Sequence, residues 1–319
     1  MTKLTTSLAN RRCIVLGSGG FIGINLSAAL VKADASVIGV DLRPPSPLLP
    51  PMEWHTVRLE RGDELEGLLE PGDTVFHLAS NTVPGSALNP YKDTSENVLP
   101  TLRLLESCVR KGVARIVFLS SGGTIYGPNV SVPISEEAAE NPISWYGIQK
   151  LTIEKYLGVY RRLHALDSII LRVANPFGPH QRNPKQGLVA SIIRHALAGT
   201  AVEIFGDGTV TRDYVYIDDV VDAILLAGAI EDRSAPRIYN IGSGVGRTAL
   251  DVIGAVQAAH GQPIKINYLP SRAIDVPVNI LDIARAAAHL RWRPRTAWEQ
   301  AIRTTYAWAR AAQASKVKG

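Results

Sequence analysis

The stretch Cys13-Ile-Val-Leu-Gly17-Ser-Gly-Gly20-Phe-Ile-Gly23 decides the fold. An apolar strand pattern runs into three glycines spaced Gly-x-x-Gly-x-x-Gly, and a helical pattern opens at Phe21. That context is what a dinucleotide-binding loop requires. Gly17 permits the tight turn, Gly20 lets a pyrophosphate approach backbone N–H groups at the helix N-terminus, and Gly23 lets helix and strand pack closely. A ligand-free strand-to-helix turn is the plainer alternative. Asp41 argues against it, because it ends the second strand pattern at the distance where a carboxylate meets the ribose hydroxyls. Its charge would repel a 2′-phosphate, favouring NAD over NADP, and the nearby Arg43 softens that preference.

Outward from the loop, strand patterns at 12–17, 36–41, 54–59, 74–78, 115–120 and 168–173 alternate with helical patterns at 21–33, 94–111 and 146–164. Short β-branched strands between amphipathic helices predict an α/β fold with a doubly wound, Rossmann-type parallel sheet, buried on both faces by right-handed crossovers. Beyond Asn175-Pro-Phe-Gly-Pro179 the loops lengthen. Helices at 188–198, 217–230, 250–260 and 298–312, with strands at 201–205 and 237–241, predict a smaller C-terminal α/β substrate lobe. The expected division is an NAD-binding domain over 1–175, with elements returning to it within about 212–241, and a substrate lobe over 176–319.

Composition narrows the function. The chain has 319 residues, 46% hydrophobic and 20% charged, and no apolar run approaches the roughly 20 residues of a membrane helix. The N-terminus lacks the apolar core of a secretory signal, so a cytoplasmic enzyme with no membrane partner is expected. Cys13 and Cys108 lie far apart without metal-ligand spacing; they read as buried thiols, and no metal site is expected. The net charge of +5 comes from scattered Lys and Arg, which excludes a nucleic-acid surface and suits small anionic ligands.

Tyr146-Gly-Ile-Gln-Lys150 places a phenol and an ammonium one helical turn apart on one face, where the cation would favour the phenolate. Alone the pair is a pattern chance can supply. It gains weight from its company: the glycine loop, Asp41, His77-Leu-Ala79, Asn97, Ser120-Ser121, Tyr126-Gly127 and Tyr146-x-x-x-Lys150 stand in one order. Together they resemble the nucleotide-sugar epimerase and dehydratase branch of the extended short-chain dehydrogenase/reductase family. Leu171-Arg-Val-Ala-Asn175-Pro-Phe-Gly-Pro179, Arg212-Asp-Tyr214-Val-Tyr-Ile-Asp-Asp219, Tyr239-Asn-Ile-Gly-Ser-Gly244 and Arg272-x-x-Asp275 resemble its sugar-nucleotide lobe.

The resemblance implies an NAD site at Gly17, Gly20, Phe21, Ile22, Asp41, Arg43, Leu78, Ala79, Asn97 and Lys150, with Glu60 where an Asp usually lies near adenine. It implies a substrate site at Asn81, Asn175, Leu188, Phe205, Arg212, Arg272 and Asn279, the two arginines clamping a diphosphate. The implied reaction is inversion at C4 of a nucleotide-diphosphate sugar, a UDP-hexose or UDP-N-acetylhexosamine, through a transient 4-keto sugar. Tyr146 is its base and Lys150 its helper. A Ser or Thr normally four residues before the Tyr of Tyr-Gly is Gly122 here, so the third hydroxyl is sought at Thr124 or Ser121, either of which could instead simply end the strand. Dehydratases of this branch carry acidic residues just after that hydroxyl; Gly123 and Thr124 offer none, which disfavours a 4,6-dehydratase. A nucleotide-sugar ketoreductase shares the same Tyr, Lys and cofactor loop, and a non-catalytic NAD-sensing protein would have lost the Tyr or Lys. Asn279 matches a position whose size controls entry of an N-acetyl group; alternatively it satisfies local backbone groups. A homodimer is implied through the helices at 94–111 and 146–164, although the stripe Val98, Leu102, Leu105 and Val109 could equally face the sheet.

Overall fold

A computed structural model describes residues 8–82, 89–128, 130–183, 186–271 and 276–317. The first half runs β1 (Arg12–Leu16), α1 (Phe21–Lys32), β2 (Ser36–Asp41), β3 (Glu53–Thr56), α2 (Gly62–Glu66), β4 (Thr74–His77), α3 (Pro90–Asp93), α4 (Leu99–Lys111), β5 (Arg115–Ser121), α5 (Trp145–His164) and β6 (Ser168–Val173). The second runs β7 (Asn175–Phe177), α6 (Leu188–Ala198), β8 (Val202–Phe205), β9 (Thr211–Tyr216), α7 (Ile217–Ala229), β10 (Ile238–Ile241), β11 (Gly246–Thr248), α8 (Ala249–His260), β12 (Ile266–Leu269), β13 (Val278–Asn279) and α9 (Trp298–Val317).

Seven strands form one parallel sheet in the order β10-β6-β5-β4-β1-β2-β3. Alternation along each strand feeds two cores. Cys13, Val15, Phe76, Val117, Leu119 and Ile169 join α1 and α7 on one face, whereas Ile14, Leu16, Val75, Ile116, Phe118 and Ile170 join α2, α4 and α5 on the other. Both cysteines are buried free thiols, pushed up to about 12 by that burial, which removes them as nucleophiles. Because the strands are parallel, Gly17, Asp41, Leu78 and Gly122 all emerge at one sheet edge, where ligands bind in such folds.

The chain leaves this sheet after β6 and returns for β10, whose root is tied by Arg237 Nε to Asp167 Oδ1 at 3.1 Å. Between and beyond lie two small sheets: β11-β9-β13 with β7 on β9, and β12 beside β8. The expected helix at 94–111 begins as a π-helical turn, Thr94–Val98, before α4. Val98, Leu105 and Val109 pack in the core beneath the sheet, whereas Leu102, the fourth residue of the stripe, is half-buried and outside that core. Another apolar stripe is exposed instead: Trp145, Ile148, Tyr156, Val159 and Leu163 line one side of α5 at helical spacing. Among the described residues no helix is long and apolar enough to cross a membrane.

Candidate active site

The glycine loop is shaped by contacts that exclude side chains. Gly17 has φ +85°, and a Cβ on it would stand 2.9 Å from the Ala79 backbone. A Cβ on Gly23 would fall 2.1 Å from the Gly17 carbonyl, so α1 packs on its own entry turn only because residue 23 is glycine. Phe21 and Ile22 open α1, and no side chain caps its first amides. Asp41 Oδ2 accepts the Gly19 N–H at 2.9 Å, Oδ1 accepts the Arg43 N–H at 3.3 Å, and Arg43 Nε lies 3.8 Å away. Leu78 N–H donates to the Leu16 carbonyl, pinning the β4 loop against the β1 turn. Asn97, buried on the π-helical turn, accepts the Asn81 N–H at 2.8 Å and donates to Asp93 O at 3.2 Å. Both asparagines thus organise the same loop. Glu60 Oε2 is buried and no described residue donates to it. A glycine cradle that a Cβ would fill, open helix amides and an orphaned acceptor near the expected adenine end fit a dinucleotide.

Ser144 caps α5 by accepting the Gly147 N–H, which sets Tyr146 in the first turn and Lys150 one turn on. Lys150 Nζ is buried, donates to the Leu119 carbonyl at 2.8 Å, and lies 4.7 Å from the Phe118 ring centroid and 5.7 Å from that of Tyr146. Burial pushes its ammonium down to about 8, against an opposing pull from Glu154. The expected lowering of the Tyr146 phenol does not appear: burial raises it above its ordinary value. Desolvation wins because the ammonium is spent on Leu119 O rather than on the phenolic oxygen. Nearby His77 is buried and bonded through Nε2 to Thr101 Oγ1 at 2.9 Å; burial, with Lys150 adding to it, pushes its imidazole down to about 3.

The turn after β5 explains the missing hydroxyl. A Cβ on Gly122 would meet Leu281 Cδ1 at 2.5 Å and the Arg172 carbonyl at 2.9 Å, so the usual serine position is already filled. Ser121 is the last residue of β5 and is buried, as is the hydroxyl of Thr124, to which no described residue donates or accepts. The Thr124 carbonyl packs on Gly147, where a Cβ would approach to 2.6 Å, so this turn abuts the residue after Tyr146.

On the substrate side, Asn175 Nδ2 donates to Asp213 O at 2.9 Å and Leu188 starts α6. Phe205 ends β8 with a partly exposed ring. Arg212 on β9 donates through Nη1 to the carbonyls of Thr211 at 3.0 Å and Val276 at 2.5 Å. Arg272 and Asp275 lie outside the described residues. Asn279 is 2% exposed and donates from Nδ2 to the carbonyl of Gly122, 157 residues away, at 3.2 Å.

Sequence reasoning passed over two supports of this site. Asp213, fully buried beside Arg212, accepts from Ser243 N and Oγ, Gly244 N and Leu281 N, and burial raises its carboxyl against those bonds. Arg172, beneath α5, holds Glu154 at 2.7 Å, Glu140 at 2.5 Å and the Tyr126 hydroxyl at 3.0 Å. Both sit in stretches quoted above, and their partners from distant segments leave no local signal. Among the described residues no cluster could hold a metal ion.

Comparison with known proteins places this geometry. A model of the NAD dependent epimerase/dehydratase family matches residues 13–242. The UDP-glucose 4-epimerase of Mycolicibacterium smegmatis is 35% identical over 310 residues, covering 92% of this chain and 97% of its own. The solved UDP-glucose 4-epimerase of Thermotoga maritima with UDP-glucose matches at TM-score 0.89 and 35% identity, over 95% of this chain and 99% of its own. That of Thermus thermophilus, in complex with NAD, matches at TM-score 0.87 and 32% identity, over 94% and 99%.

Proposed function

We infer the workings of this site from a plain premise: the chain belongs to the NAD dependent epimerase/dehydratase family and is an NAD-dependent nucleotide-sugar 4-epimerase. The observation that carries the residue assignment is the end of β5, where α5 sets Tyr146 and Lys150 beside a turn that bears hydroxyls and no carboxylate. Gly17, Gly20, Phe21, Ile22, Asp41, Leu78, Asn97 and Lys150 would hold the cofactor, with Glu60 available to its adenine end. Oxidised NAD bound there would supply a reversible hydride acceptor, taking the C4 hydride and giving it back, and a positive charge that favours the Tyr146 phenolate.

Tyr146 takes the proton from the C4 hydroxyl and returns it once the 4-keto sugar has presented its other face. Lys150, cationic below about pH 8, steadies the developing phenolate charge. The hydroxyl opposite Tyr146 comes from Thr124 or Ser121 and hydrogen-bonds the reacting oxygen. Gly123 and Thr124 provide no acid to expel water, which favours epimerisation over dehydration, and the Asp41 carboxylate disfavours the NADPH of a ketoreductase.

The substrate is a UDP-hexose or UDP-N-acetylhexosamine, a reading supported by the UDP-glucose in the Thermotoga maritima structure. Arg212 and Arg272 clamp the diphosphate, and residues 176–319 mainly form the sugar-nucleotide lobe. The protein works as a cytoplasmic homodimer, a second copy covering the exposed α5 stripe Trp145, Ile148, Tyr156, Val159 and Leu163. Mixing the protein with UDP-, GDP- and dTDP-sugars without added NADH and following C4 by NMR tests the assignment. Inversion of UDP-sugars is expected; strict dependence on added NAD(P)H would overturn it in favour of a ketoreductase.

A further inference from the structure

The turn that carries the catalytic hydroxyl contains two adjacent glycines, which by themselves leave the backbone loose. Something must hold it. Gly122 N–H is anchored to Val173 O at 2.9 Å, and Leu281 closes over its Cα, but a Cβ on Gly123 would have open space for 4 Å around it. The Gly122 carbonyl, between the two glycines, is bonded by Asn279 Nδ2 from a segment 157 residues away.

That amide is costly where it stands. Asn279 is 2% exposed, and its Oδ1 is buried with no donor among the described residues. An orphaned buried acceptor costs free energy that an apolar side chain of similar size would avoid. The asparagine is therefore explained by what its N–H group does. Its strand has a second attachment: Asn279 on β13 lies opposite Arg212 on β9, Thr211 N–H donates to Pro277 O at 2.9 Å, and Arg212 itself donates to Val276 O. Two residues on, Leu281 N–H is held by the buried Asp213 carboxylate. The strand opposite the diphosphate-side arginine is thus the one that grips the turn beside Tyr146.

We propose that Asn279 is a positioning residue for the reaction: by donating to Gly122 O it fixes the Gly122–Thr124 turn and so sets the hydroxyl that works opposite Tyr146. This rests on the reading that Thr124 or Ser121 supplies that hydroxyl. Asn279 then acts through the turn, without needing to touch the sugar. It couples the placement of that hydroxyl to the β9–β13 pair, which a substrate diphosphate on Arg212 would also hold.

Two near-isosteric variants that lack the N–H donor test it, Asn279→Leu and Asn279→Asp, each compared with wild type for UDP-glucose and UDP-N-acetylglucosamine. Expected is a roughly 10- to 100-fold fall in kcat, about 1.4–2.7 kcal/mol of barrier. KM, bound NAD and the preference between the two sugars should stay within about twofold. Asn279→Leu removes the orphaned Oδ1 but leaves Gly122 O without its donor, so its melting temperature should stay within a few degrees of wild type, and kcat is compared well below both midpoints so that loss of rate is not unfolding. Added to whichever of Thr124→Ala and Ser121→Ala is impaired, Asn279→Leu should cause little further loss, because both act on one hydroxyl. Full kcat in Asn279→Leu, or a change confined to KM and sugar preference, overturns the proposal in favour of a pocket-lining role. If Thr124→Ala and Ser121→Ala both keep full activity, the underlying hydroxyl assignment fails instead, whatever Asn279 does.

Discussion

Adding a single methyl group at Gly122 asks whether that position is closed to the residue the family usually carries there. A Cβ would stand 2.5 Å from Leu281 Cδ1 and 2.9 Å from the Arg172 carbonyl. The leucine tip can swing away, but the carbonyl belongs to β6, paired to β10 on one side and β5 on the other, and cannot yield without disturbing that ladder. Overpacking of this size costs about 1–3 kcal/mol. Gly122→Ser adds a hydroxyl that costs about 1–3 kcal/mol more if it finds no partner. The neighbouring Gly123→Ala is the control: nothing lies within 4 Å of its Cβ and its φ is outside the left-handed range, so a change within about 0.5 kcal/mol is expected. At about 2–4 °C per kcal/mol, Gly122→Ala should melt several degrees below Gly123→Ala in calorimetry of the NAD-loaded protein. Its rate of C4 inversion should fall as the turn shifts. Equal melting temperatures for the two alanines, or a Gly122→Ser variant as active as wild type, would refute the claim that Leu281 and Arg172 O fill the site.

Tyr146→Phe should lower turnover by about 10²–10⁴-fold, the usual contribution of a positioned base, while NAD released on denaturation stays stoichiometric; loss of NAD would place the tyrosine in cofactor retention instead. The His77 imidazole, held neutral with its titration pushed down to about 3, stabilises the fold fully above its ordinary value of 6.5 and progressively less as pH falls toward 3. Urea unfolding should therefore show wild type losing about 3 kcal/mol more than His77→Phe between pH 6.5 and 4, and parallel losses would contradict the assignment. Val159→Glu with Leu163→Glu, both on the exposed side of α5, should halve the mass seen by light scattering without lowering the monomer's helix content. A dimer mass unchanged by the two substitutions would move the interface elsewhere, and a monomer mass for wild type would refute the dimer.

Features built from neighbouring residues were legible in the sequence. The loop Gly17-Ser-Gly-Gly20-Phe-Ile-Gly23 and the strand-helix alternation around it follow from local spacing, and β1, β2, β4, β5 and β6 form where the apolar runs lie, whereas β3 takes only Glu53–Thr56 where a strand at 54–59 is expected. The short strands β7, β11, β12 and β13 are 2–4 residues long, too brief for a period to show, and exist through partners far along the chain. Periodicity marked an apolar face at Val98, Leu102, Leu105 and Val109 but not what covers it; the sheet covers Val98, Leu105 and Val109 and leaves Leu102 half-buried. The Tyr146–Lys150 spacing located the pair correctly, yet its electrostatics depend on Leu119 O and on burial, which spacing does not encode. Asn279 was noticed for its size, whereas its structural contact is with a carbonyl 157 residues away.

The return of β10 to the central sheet sets an order of events during synthesis. When β6 leaves the ribosome its outer edge is a bare row of amides and carbonyls, and the strand that covers it is still roughly 70 residues, about 3–14 s, from being made. For that interval the first six strands form an open-edged sheet, the form most prone to pairing with another chain. The segment carrying β7, α6, β8, β9 and α7 is threaded through the gap, so a protein cut short before Ile238 would keep the complete glycine loop and Tyr146–Lys150 pair on a sheet that is never closed.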